Sequence, residues 1–221
     1  MSLSDRPWLS SYAPGVPAEI EPVAQTLVDM LDDSVRRYPR RPALEFFGAV
    51  TTYRELGDQV ARAAEGLRRL GVAPGDRVAL ILPNCPQHVV AFYAVLRLGA
   101  IVVEHNPRYT APELRHQFEV HHAQVAIVWD AVADTIAEFP SDIRPSQVVA
   151  VRMTDAMPIR TRAALRLPVA KARASRAALT TTPRAKDVLT WTRVASHRPV
   201  RRRTPRPQLD DLAALQLTSG T

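Results

Sequence analysis

One cysteine, two lysines and no long apolar run are the first things this 221-residue sequence withholds. With Cys85 alone, an internal disulfide and a cysteine-based metal site are both excluded. Cys85 sits between Asn84 and Pro86 with no basic neighbour to lower its pKa, which gives it a structural role. The most apolar helical stretch, Val89 to Leu96, is closed by Arg97 and is far too short to cross a bilayer. The N-terminal stretch has no basic region followed by an apolar run, so no secretory leader is expected and a reducing cytoplasm is the default location. No tandem repeat of solenoid period occurs. His116, His121 and His122 share no helical face, unlike an i, i+4 pair, so they are not expected to hold a metal. Glu55 and Glu113 fit helix capping, and no paired carboxylates are set up for acid–base work.

The charge is unevenly spread. Net charge is +7, yet Arg152 to Arg206 hold 15 Arg or Lys against Asp155 and Asp187 alone, a local balance of +13. The remainder therefore sums to −6, so a mildly acidic domain carries one very basic segment. Such a segment is first of all a solvated loop. It could also rest on an anionic membrane surface, and contact with nucleic-acid phosphates is the weakest of the three readings.

What is present is alternation. Leu27, Met30, Leu31, Val35 and Tyr38 form one expected helical face, opened by Thr26 and Asp29 in capping-box spacing and ended by Pro39. A short hairpin is expected around Gly48. A second helix runs from Thr52, paired with Glu55, to Gly71, with Leu56, Val60, Ala63, Leu67 and Leu70 inward. Apolar runs at 77–82, 100–105, 124–129 and 146–153 read as strands, separated by helical stretches, and Thr110 with Glu113 starts one of these. Strand–helix alternation predicts an α/β fold, a mostly parallel sheet with helices on both faces. After Met153 the pattern weakens: 172–179 and 187–195 read as short helices, and 197–208 as extended and exposed. Asp210 could cap a turn before a final strand at 213–217, followed by Thr218, Ser219, Gly220 and Thr221.

A loop leaving a parallel strand can hold nucleotide phosphates when small residues let several N–H groups converge on an anion and hydroxyls add donors. Thr218, Ser219 and Thr221 supply hydroxyls, and Gly220 permits close approach. Taken alone, those four residues also suit an ordinary turn. His105, beside Asn106 and Pro107, follows a strand end where α/β proteins place ligand contacts, although a structural turn is the better reading.

The stretches TYRELGDQVARAAEGLRRLGVAPGDRVALILPN, VVAFYAVLRLGAIVVEHNPRYTAPELRHQFEVHHAQVAIV and LDDLAALQLTSGT together resemble the N-terminal part of the adenylate-forming (AMP-binding) enzymes, most of all the long-chain fatty-acid–CoA ligases. The likeness divides the chain into an N-terminal extension (1–23), the α/β part of an AMP-binding domain (24–153), a basic Arg/Pro-rich connecting segment (154–208), and a strand with the start of a phosphate loop (209–221). It implies a ligase that forms an acyl-adenylate from fatty acid and ATP with Mg²⁺, then an acyl-CoA with coenzyme A. Thr218, Ser219, Gly220 and Thr221 would be the cofactor-binding residues. It also implies that the loop's lysine, the adenine and ribose contacts and a second, hinged domain lie outside this chain. No catalytic residue is therefore assigned, little ATP binding is expected of the chain alone, and activity alone is not expected. Leu217 stands where the family often has tyrosine. Another AMP-forming acid ligase, such as a fatty-acyl-AMP ligase, and a non-catalytic binding module on the same scaffold stay open.

Overall fold

A computed structural model describes residues 6–21, 23–200 and 206–217. Strands β3 (Arg77–Ile81), β4 (Ile101–Glu104), β5 (Val125–Trp129), β6 (Gln147–Val151), β7 (Val188–Thr190) and β8 (Ala214–Gln216) form one sheet in the order β7-β6-β5-β3-β4-β8. Every pairing in it is parallel. The central strands β3, β4, β5 and β6 are apolar between their ends because both faces are covered. Their two-residue period divides them cleanly: Val78, Leu80, Ile127, Val149 and Val151 enter one core cluster. Ala79, Ile81, Ala126, Val128, Val148 and Ala150 enter the other.

The first cluster is closed by helices α1 (Leu27–Arg37), α2 (Tyr53–Arg69), α3 (Pro86–Arg97) and α8 (Trp191–Ala195), the second by α4 (Ala111–His121) and α5 (Ala133–Ala137). A separate antiparallel hairpin joins β1 (Pro42–Phe46) to β2 (Ala49–Thr52), turning through Phe47 and Gly48 at positive φ. Helices α6 (Ile159–Ala164) and α7 (Ala170–Leu179) lie between β6 and β7, with Ala172 their only buried residue.

Local chemistry sets the helix starts. Thr26–Asp29, Thr52–Glu55 and Thr110–Glu113 each close a capping box; in the second, the Thr52 N–H donates to the Glu55 carboxylate at 2.7 Å. These bonds hold the three carboxyls below their ordinary pKa. Gly66 makes room for another element: a Cβ there would stand 2.0 Å from the Val194 carbonyl oxygen, so only glycine lets α2 and α8 approach this closely.

Three expectations need correction. The buried stripe of α1 is Val28 and Leu31 with Val35 beside them, whereas Leu27, Met30 and Tyr38 are exposed, because α1 packs chiefly against α2 and α3 along that one stripe. The helix expected at 187–195 begins instead as β7, since Val188 and Leu189 complete the sheet beside β6. The turn before β8 is closed by Asp211, whose carboxylate accepts from the Gln208 N–H at 2.7 Å, not by Asp210. The stretch expected to be extended and exposed is mostly exposed where described, and both described flanks are tied to the helices. Val200 N–H donates to Ala61 O at 2.9 Å, and Arg206 pairs with Asp29 at 3.2 Å.

Candidate functional site

Helix α3 covers one face of the sheet and α4 the other, so the chain leaves β3 and β4 in opposite directions. In open α/β sheets such a divergence marks the place, at the carboxyl ends of neighbouring strands, where a ligand crevice is expected. Helix α3 begins there, with Cys85 as its N-cap and no side chain satisfying its first N–H groups. In its first turn, His88 Nε2 lies 3.0 and 3.1 Å from the two Glu104 carboxylate oxygens at the end of β4. This half-buried pair fixes the α3 start against the strand. It was not anticipated from the sequence, because the two residues stand sixteen positions apart and meet only through the β3–α3–β4 crossover.

Cys85 itself is buried, and burial pushes its thiol up to about 11, so it is no nucleophile. His105 is buried too. Its N–H donates to Leu80 O at 2.9 Å, Nδ1 pairs with the Gln117 side-chain oxygen, and its ring stacks 5.6 Å from Phe118. Burial lowers its pKa, so it is a packed neutral side chain and not a crevice base. The other histidines diverge as the spacing required. His121 is buried with Nδ1 accepting from the Ala123 N–H at 3.0 Å, His122 is exposed at the α4 terminus in left-handed geometry, and His116 is exposed beside Glu119. Among the described residues no group of three or more His, Cys, Asp or Glu could hold a metal ion.

On the other side of β3 along the same edge, Asp130 directly follows β5 and is nearly fully buried. Thr180 Oγ1 donates to it, and Arg152, the first residue after β6, approaches to 3.9 Å. Burial raises its pKa, opposed by these partners. Gln87 of α3 reaches across to donate to Arg152 O at 3.2 Å, which ties the crevice to this second cluster.

On the opposite side of β3, strand β8 pairs with β4, bringing Gln216 opposite Glu104 with Leu217 half-buried just beyond. The strand before the phosphate-loop candidates thus runs toward the carboxyl edge. Thr218, Ser219, Gly220 and Thr221 lie outside the described residues. A cavity of about 460 Å³ lined by Leu27, Leu96, Leu209 and Leu212 is found at the amino end of β8 instead, and is not part of this crevice.

Comparison with known proteins adds the following. A family model described as "AMP-binding enzyme" matches residues 31–221. The chain is 35% identical over 218 residues to the long-chain-fatty-acid–CoA ligase of Escherichia coli O6:H1, covering 97% of this chain and 38% of that protein. It is 42% identical over 126 residues to a salicyl-AMP ligase / salicyl-S-ArCP synthetase of Mycobacterium tuberculosis, covering 55% of this chain and 21% of the other. Among solved structures, an anthranilate CoA ligase in complex with anthranoyl-AMP superposes with a TM-score of 0.70 at 18% identity, over 90% of this chain and 33% of that one, a likeness of fold.

Proposed function

The chain belongs to the AMP-binding enzyme family, and from that premise we propose that it supplies the N-terminal part of the nucleotide-binding domain of an AMP-forming long-chain fatty-acid–CoA ligase. In this reading Thr218, Ser219, Gly220 and Thr221 begin the cradle for the ATP phosphates. The attack of a carboxylate on the α-phosphate brings two anions together, and converging N–H and hydroxyl donors are what this chain contributes against that repulsion. Mg²⁺ and coenzyme A belong to the complete enzyme, as do the lysine of the loop and the groups that hold adenine.

One observation carries the reading: β8 lies parallel to β4, with Gln216 in register with Glu104 at the carboxyl edge of the sheet. The residues that follow it in sequence are hydroxyls around one glycine. The fatty-acid branch is supported by identity to long-chain ligases across nearly the whole chain. A second reading, activation of an aryl acid, has the salicyl-AMP ligase likeness in its favour. The location that goes with either is cytoplasmic, with contact to a membrane surface through the basic segment.

A chimera in which residues 31–221 replace the matching part of the Escherichia coli ligase tests the proposal. Pyrophosphate release from ATP is expected with palmitate and not with salicylate or anthranilate. A folded chimera that releases none with any acid, or that prefers the aryl acids, would overturn it. The 221-residue chain by itself is expected to release none with palmitate; turnover there would contradict the assignment of the loop lysine to another segment.

A further inference from the structure

Beyond the crevice, the carboxyl end of β6 opens into a second cavity of about 310 Å³, separated from β8 by three strands. Five arginines line it: Arg152 after β6, Arg162 and Arg166 from α6 and its end, and Arg173 and Arg176 from α7. Their spacing is what brings them together. Arg162 and Arg166 are four apart, Arg173 and Arg176 three apart, so each pair projects from one side of its helical segment toward the other. Asp155 is the one acid among the lining residues. Arg152 has Asp130 within 3.9 Å, but among the described residues Arg162, Arg166, Arg173 and Arg176 have no carboxylate within 4.0 Å. Elsewhere some arginines are paired, Arg68 and Arg69 with Glu65, Arg62 with Asp58, Arg97 with Asp32, whereas among the described residues Arg54, Arg108 and Arg144 stand singly; what distinguishes this place is that five of them line one concavity.

Four guanidinium groups with no carboxylate partner around one concavity, of which Arg173 also donates to Pro168 O at 3.5 Å, create a positive potential that an anion would lower. The planar fork of arginine matches phosphate oxygens bidentately, and Thr181 and Thr182 at the rim offer further donors. A concave site of this size fits one or two phosphoryl groups and is too small for a duplex groove to enter. We propose that the cleft between β6, α6 and α7 binds a phosphate group, carried either by a soluble phosphoryl compound or by an anionic lipid headgroup. This narrows the broad basic stretch of 152–206 to one place and goes beyond the proposed function, because β8 takes no part and, among the described residues, only the Gln87–Arg152 bond links the two places.

The test titrates the 221-residue chain with inorganic pyrophosphate, and in a second arm with phosphatidylcholine vesicles containing phosphatidylglycerol, at about physiological ionic strength. The R173Q/R176Q variant is compared with R36Q/R37Q, which removes the same charge from α1. Saturable binding that weakens about tenfold or more in R173Q/R176Q and less than about twofold in R36Q/R37Q is expected. The arm that responds identifies the source: pyrophosphate for a soluble ligand, vesicles alone for a headgroup. Equal weakening in both variants, or no saturable binding in either arm, would overturn the proposal. Should R173Q/R176Q fail to fold by circular dichroism, R162Q/R166Q repeats the comparison from the facing side.

Discussion

Residues 27–153 and 154–217 are built on different terms. In the first stretch, four central strands are buried on both faces, three helices open with capping boxes, and most of the core residues are found there. In the second, α6 and α7 bury a single alanine, the two strands β7 and β8 are three residues each at opposite sheet edges, and cations line an open cleft. The first stretch is held by apolar area removed from water. The second is held by docking onto the first, chiefly through Trp191 and Val194 of α8 and the backbone ladders of the two edge strands.

If that contrast holds, the largest effects belong to the sheet centre. Ile127→Ala, fully buried in β5, is expected to cost about 3–4 kcal/mol in urea unfolding. Leu189→Ala, half-buried in the edge strand β7, should cost about 1–2 kcal/mol; equal losses would erase the distinction. Next comes the joint between the stretches. Gly66→Ala improves helix propensity by about 1 kcal/mol, yet its Cβ would meet the Val194 carbonyl, so a net loss of about 2 kcal/mol is expected, with α8 displaced. A neutral or stabilising result would mean that α8 is not docked as described.

The pH dependence sharpens the comparison further. Burial depresses the folded pKa of His121 to about 3, with His105, Arg77 and His122 adding repulsion, against an unfolded value near 6.5. Between those values the unfolded chain binds the proton that the folded chain refuses. The contribution is thus intact above about pH 6.5 and is lost as pH falls, by up to about 1.4 kcal/mol per pH unit, toward the folded value. His121→Phe should flatten that slope in melts between pH 7 and 5; an unchanged slope would exclude His121 as its source. Smallest are the caps. Thr52→Ala, which breaks a capping box, is expected to cost about 1 kcal/mol. Thr190→Ala removes a lone 3.4 Å bond from the Arg193 N–H and should cost about half as much.

The same contrast governs what could be read in advance. Strands at 77–82, 100–105, 124–129 and 146–153 were legible because burial on both faces demands uninterrupted apolar residues, and the capping boxes because their chemistry is local. Strand β7 was not, since Val188-Leu189-Thr190 alone carries no period and gains its state only from β6. The face of α1 was misjudged because six apolar residues, Leu27, Val28, Met30, Leu31, Val35 and Tyr38, compete for a contact that admits Val28, Leu31 and Val35. At the site, the parallel strand before Thr218 was legible, whereas His88 with Glu104 and Asp130 with Thr180 were hidden. Each is a pair made by the crossovers, with no signature in either residue's neighbourhood.

The most direct test of the phosphate-cradle assignment is acid-dependent pyrophosphate release by the palmitate-active chimera carrying Gly220→Val. A side chain at Gly220 would block the close approach of the backbone to the phosphates, so release should fall by about 100-fold or more while the melting temperature stays within about 2 °C of the parent. Release at the parental rate from the folded variant would contradict the assignment.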